Sequence, residues 1–145
     1  MSIDFDWVRV SSVFGPLYKP VANVEFETNA HEWQSFELKV DSGAVVTLLN
    51  ADDCSLLGYK LNDGEEKKLK VANNGEVIVR IHKIRMKIGD ITLPNEVRVA
   101  FAEHQVPELL LGRLDVFNHF EIHLKQDQLK TTMISKIRSV TPRPN

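Results

Sequence analysis

The chain has a single cysteine, Cys54, so an intramolecular disulfide is excluded and nothing marks a secreted, disulfide-framed domain. It also lacks an excess of positive charge. Eighteen Lys and Arg are set against 20 Asp and Glu, for a net charge of -2. That balance argues against nucleic acid or an anionic membrane as a partner. No stretch approaches the roughly 18 consecutive apolar residues of a membrane span. The opening MSIDFDWVRV carries two Asp where a signal peptide needs a basic start and an apolar run. A cytoplasmic location is the expectation, with no nucleic-acid and no membrane partner. Internal repeats and low-complexity segments are missing too. What remains is 145 residues, 43% hydrophobic and 26% charged, enough for one domain with one continuous core.

The dominant pattern is short strands punctuated by turns. Val21 to Glu27 alternates imperfectly, with Val24 and Phe26 as inward residues. Phe36, Leu38 and Val40 alternate cleanly with Glu37 and Lys39, and that strand delivers Asp41 at its end. Val45 to Leu49 is apolar apart from Thr47 and β-branched-rich, which predicts a buried strand. Ala51 to Gly58 breaks the alternation and reads as a short helical turn closed by glycine. Leu69 and Val71 lead into Asn73-Asn74-Gly75, after which Val77, Val79, Ile81 and Ile84 resume the pattern. Asn-Gly tolerates the positive φ of tight hairpin turns, so a hairpin is predicted there. A second hairpin turns at Gly89-Asp90, and Val97, Val99 and Phe101 form the next strand. Leu109 to Leu111 runs into Gly112, Arg113 to Asn118 suggests a short helix, and Phe120, Ile122 and Leu124 a last strand. Residues 1–137 then make one domain. Residues 138–145, with two prolines and only Val140 as an apolar residue, make a flexible tail.

The segment Asp41-Ser42-Gly43-Ala44 is the one most suggestive of chemistry. It places a carboxylate on a turn between an alternating strand and an apolar one. Gly43 permits close approach of a second backbone, Ser42 offers a hydroxyl to fix the turn, and Ala44 is small enough to pack beneath it. By itself the string is equally an ordinary solvated Asp-Ser-Gly turn. Leu110-Leu111-Gly112-Arg113, in the second half of the chain, adds a hydrophobic-hydrophobic-Gly segment.

With both segments in order, Val21 to Leu129 resembles the retropepsin family, the single-domain aspartic proteases of retroviruses and their bacterial and cellular relatives. The Leu-Gly-Arg-Leu-Asp-Val-Phe run is most similar to bacterial members. The resemblance implies an all-β fold, a closed barrel with one or two short helices and a flap hairpin. It implies a homodimer about a twofold axis and hydrolysis of extended polypeptide. Asp41 is then the catalytic carboxylate that each copy contributes. Ser42, Gly43, Ala44 and Gly112 support the active-site turn, and Val71, Ala72, Asn73, Asn74, Gly75 and Glu76 form the flap. Only one such Asp motif is present, and the chain is too short for two lobes, so the second carboxylate has to come from an identical chain. No metal or cofactor is implied. Two features depart from retroviral members: the flap has Gly75 alone, and Val45 stands where many have an acidic partner for the Arg after the glycine. A catalytically inactive module that dimerises or binds peptide is the alternative, and an unrelated β-barrel a further one.

Other residues carry less. His119, Glu121 and His123 share one face of the last predicted strand, opposite Phe120, Ile122 and Leu124, which is where a solvated face belongs. Cys54 has no histidine near it in sequence and reads as a packed side chain. Glu65-Glu66-Lys67-Lys68 reads as a solvated loop. Trp7 and Trp33 are available to a core or to a dimer contact.

Overall fold

The computed structural model describes residues 1–70 and 75–137. Strands dominate, in three sheets. In chain order they are β1 (Ser2–Asp6), β2 (Val8–Ser12), β3 (Gly15–Lys19), β4 (Val21–Glu27), β5 (Trp33–Val40), β6 (Thr47–Asn50) and β7 (Glu65–Lys70). After these come β8 (Glu76–Ile84), β9 (Met86–Ile88), β10 (Ile91–Thr92), β11 (Val97–Ala102), β12 (Leu110–Leu111), β13 (Phe120–Lys125) and β14 (Lys130–Ser135). The one α-helix described, α1, spans Ala51–Leu56.

Nine strands form the main sheet, in the order β10-β9-β4-β5-β12-β6-β11-β8-β7. β12 is wedged between β5, with which it runs parallel, and β6, with which it runs antiparallel. The end strands β10 and β7 do not pair with each other. The closed barrel expected from the resemblance is therefore corrected to open sheets. A second sheet stacks β1-β14-β13, and β2 and β3 form a separate two-stranded ribbon.

β6 and β11 explain why their sequences are so apolar. Leu49, Val97, Val99 and Phe101 join the larger core with Phe26, Leu38 and Leu111. Val46, Leu48, Ala100 and Ala102 face a second cluster with Val79. Both faces of these strands are covered, so alternation gives way to continuous hydrophobicity. Burying one such Leu or Phe side chain stabilises the fold by about 1.5–3 kcal/mol.

The strands predicted by alternation and the helix closed by Gly58 are present. Gly58 has φ +83° and ends α1, where its amide bonds the carbonyl of Ser55 and that of Tyr59 the carbonyl of Cys54. Glu65 to Lys68, read as a loop, instead lie in β7, paired with β8. Arg113 to Asn118 is not a helix. Asp115 adopts φ +65°, which interrupts helical geometry, and only a 3-10 turn at Phe117–His119 follows. β7 and β8 are the arms of the predicted flap hairpin, with Lys70 opposite Glu76. Its expected tip at Val71, Ala72, Asn73 and Asn74 lies outside the described residues, as does the tail at 138–145.

Candidate active site

Asp41 leaves the end of β5 and is held by backbone on two sides. Its amide donates to the carbonyl of Leu111 at 3.1 Å, and its carbonyl accepts from the amide of Ala44 at 3.2 Å. Within the turn, the amide of Gly43 donates to Oδ1 of Asp41 at 2.8 Å. This side chain–backbone bond fixes the carboxylate against its own turn. Ser42 and Gly43 are exposed and Asp41 and Ala44 half-buried.

The second motif comes to the same place. The amide of Arg113 donates to the carbonyl of Ala44 at 3.0 Å, and that of Leu114 to the carbonyl of Val45 at 2.8 Å. Immediately before these two residues, Gly112 lies against Val46. A Cβ there would collide with the Val46 carbonyl group and stand 2.7 Å from the amide nitrogen of Thr47. Gly112 is thus the glycine that a close backbone approach requires. Gly43, assigned that role from sequence, has only Oδ1 of Asp41 within contact of an added Cβ, at 3.2 Å. Thr47 is fully buried, and its Oγ1 accepts from the amide of Gly112 at 3.2 Å. This bond crosses the two halves of the site and had no signal in the sequence beyond a lone Thr in an apolar run.

A cleft of about 630 Å³ opens beside the turn, within the usual size of a ligand site. Asp41, Gly43 and Ala44 line one part of it, Val45, Val46, Leu48 and Leu110 the apolar part, and Lys68, Leu69 and Lys70 of β7 another. β7, one arm of the hairpin expected to act as a flap, therefore borders the cleft that contains Asp41. Gly75 and Glu76, also assigned to the flap, lie just before and at the start of β8 respectively. A separate groove of about 500 Å³ is lined by Val40, Ser42, Phe117, Phe120, Ile122 and Leu124. Leu124, expected inside, is 49% exposed.

Several supports were not legible in sequence. Arg98 forms a two-bond ion pair with Asp115, just beyond Arg113. The side chain of Asn50 clamps the backbone of Val106, accepting from its amide at 2.7 Å and donating to its carbonyl at 3.3 Å. Arg113 has no salt bridge among the described residues, in keeping with Val45 in place of an acid. Cys54 is buried as expected, but His82 does lie near it, with Nε2 4.0 Å from Sγ. Burial, with Asp63 adding to it, raises the thiol to about 11. Both effects disfavour the thiolate, the form that reacts. Glu121 accepts from His123 at 2.8 Å while His119 sits in the 3-10 turn. Among the described residues no three side chains are grouped to hold a metal ion. No described helix is long and apolar enough to cross a membrane. Trp7 donates to Thr131 at 2.8 Å, and Trp33 carries the Lys87 ammonium 4.1 Å above its ring.

Comparison with known proteins agrees with this arrangement. A family described as "gag-polyprotein putative aspartyl protease" matches residues 25–119, which include both motifs. No curated protein sequence matches. Among solved structures, a retropepsin-like aspartic protease from Rickettsia conorii superposes with a TM-score of 0.64 at 18% identity, over 91% of this chain and 98% of that one. The retroviral protease-like domain of Ddi1 from Leishmania major gives 0.49 at 15% identity, over 84% and 98%. With the family match spanning most of the chain and the fold shared with a bacterial retropepsin-like enzyme, the protein belongs to the gag-polyprotein aspartyl protease family.

Proposed function

We propose that two copies of this chain meet about a twofold axis beside Asp41 and together hydrolyse peptide bonds in extended polypeptide. The observation that carries this reading is a single carboxylate locked in place from both halves of the chain. Asp41 is bonded to Leu111 behind it and to Gly43 within its turn, at the edge of a cleft with apolar walls. One such carboxylate is half of what the chemistry needs.

In the pair, two carboxylates about 3 Å apart share one proton, because both cannot stay ionised at that distance. The ionised one takes a proton from a water, which attacks the scissile carbonyl carbon. The protonated one donates to the carbonyl oxygen and stabilises the tetrahedral intermediate. Collapse breaks the C–N bond as the amine leaves with a proton, and carboxylic acid and amine are released. The carboxylate pair itself activates the water, so this route calls for no resident metal or cofactor. Ser42 reaches across the axis, and Gly112 keeps the floor of the site closed. The flap of Val71 to Glu76 covers a substrate strand and excludes water. The groove of Val40, Ser42, Phe117, Phe120, Ile122 and Leu124 is the apolar surface along which the copies join.

Cleavage of unfolded protein and of a peptide library, by wild type and by Asp41→Asn, tests the reading. Cleavage by the wild type alone, with both proteins dimeric in sedimentation, supports it. Equal cleavage by both would sink it. Dimeric wild type that binds peptides without cutting them would favour the non-catalytic module.

A further inference from the structure

The ribbon β2–β3 has the wrong surface for a solvated hairpin. Its two-residue loop is Val13-Phe14, between Ser12 and Gly15. Gly15 at φ +91° and the bond from Ser12 Oγ to the carbonyl of Gly15 at 2.7 Å close the turn. Turn positions usually hold Gly, Asn, Asp, Pro or Ser because those residues suit the backbone. Nothing local requires a valine and a phenylalanine, yet these are 94% and 87% exposed. Leu17 and Tyr18 of β3 are exposed as well, at 48% and 41%. Val10 pairs with Leu17, so the apolar character continues down one face of the ribbon.

Among the described residues, neither strand pairs with any strand but the other. An isolated two-stranded hairpin is marginal in water and needs packing against something. Trp7, bonded to Thr131 and to the carbonyl of Leu129, anchors its base. From there five-residue strands carry the tip about 16 Å outward. A segment anchored at its base and apolar at its far end is built to reach another surface.

The same chain offers such a surface. A groove of about 510 Å³ is lined by Val45, Arg113, Leu114, Asp115, Phe117 and Asn118. Val45 is 59% exposed there and directly follows the Asp41 turn. Phe117 also lines the neighbouring groove along which the copies are proposed to join, so this groove is continuous with that seam.

We infer that β2–β3 is a dimerisation arm whose Val13-Phe14 tip seats in the Val45, Leu114 and Phe117 groove of a second copy of this chain. The inference rests on the reading that two copies meet beside Asp41. Twofold symmetry makes the contact twice, once with each arm. It also ties formation of the dimer to a residue beside the active-site turn.

Sedimentation velocity over a dilution series of the full chain tests this. The variants are Val13→Ser/Phe14→Ser at the tip, Val45→Lys in the groove and Leu56→Ser on α1 as an exposed apolar control. The tip residues touch no core, so folding is expected to survive, and circular dichroism checks it. The tip and groove variants are each expected to raise the dimer dissociation constant at least tenfold. Their combination adds little further, and Leu56→Ser leaves it unchanged. A monomeric wild type, or tip variants that dimerise as tightly as wild type, overturns the inference. So does a tip variant that instead loses binding to lipid vesicles with its dimer intact. Failure of the catalytic reading looks different: dimeric wild type without cleavage, still weakened by the tip substitutions.

Discussion

Arg98 grips Asp115 through two parallel hydrogen bonds, Nε to Oδ2 and Nη2 to Oδ1, both at 2.8 Å. The amide of Arg98 adds a third, to Oδ2 at 3.0 Å. These bonds tie β11 to the turn that follows Gly112, at a residue with φ +65°. The side-chain bond from Arg98 is the main cause holding the Asp115 carboxyl below its usual range, against the opposing effect of burial.

The pH dependence follows from that direction. Unfolded, the carboxyl protonates near pH 3.9, whereas folded it stays ionised to lower pH. Its contribution is complete above about pH 4 and is lost as pH falls through the folded value. Asp115→Asn, which tolerates the backbone angle, is expected to lower Tm by about 1–3 °C at pH 7, since the pair is partly exposed. Thermal melts of the two proteins should converge in acid. A gap that stays constant to pH 2 would contradict the linkage.

Gly112→Ala places a methyl group into the backbone of Val46 and Thr47. Backbone cannot swing aside as a side chain does, so β6 and β12 have to separate. The expected loss is about 2–4 kcal/mol, read from the midpoint of urea unfolding.

Thr47→Val keeps the shape of the residue and deletes the acceptor for the Gly112 amide. That amide is then buried without a partner, at a cost of about 1–3 kcal/mol. Thr47→Ser restores most of it. Equal destabilisation by Val and Ser would assign the effect to packing alone.

Cys54 should resist thiol reagents in the native chain at pH 8 and react at the rate of unfolding. Between about 9 and about 11 the unfolded thiol ionises while the folded one does not. Its stabilising contribution is therefore present below about pH 9 and declines as pH rises. Cys54→Ala is expected to cost about 1 kcal/mol through lost burial and to reduce the alkaline slope of stability. Fast labelling of folded protein would overturn this.

Alternation and turn chemistry made much of the fold legible. Leu38 and Val40, Val97 and Val99, and the helix stopped by Gly58 were all readable because each signal is local. β1 carries the same local signal, with Ile3 and Phe5 alternating against Asp4 and Asp6. β14 escaped because Thr131 and Thr132 are polar in type and buried in fact. Of the site, Asp41 and Gly112 stood out by motif. Thr47, Asn50 and Arg98 did not, because a hydrogen bond between distant segments leaves no periodicity. The helix expected at Arg113 to Asn118 failed for the same reason: Asp115 is held by a partner on another strand.

The position of β12 sets an order on the folding of this chain. β5 and β6 flank Asp41, yet two residues from the last third of the sequence fill the space between them. During synthesis the aspartate turn emerges long before that filler, and until Leu110 to Gly112 follow, the sheet has a gap behind Asp41. Closing it requires a long-range pairing, which is slow relative to local hairpins. A chain cut anywhere in the segment 103–109 would retain the complete Asp-Ser-Gly-Ala string without the floor that gives it a fixed geometry. The carboxylate is inscribed early and assembled late.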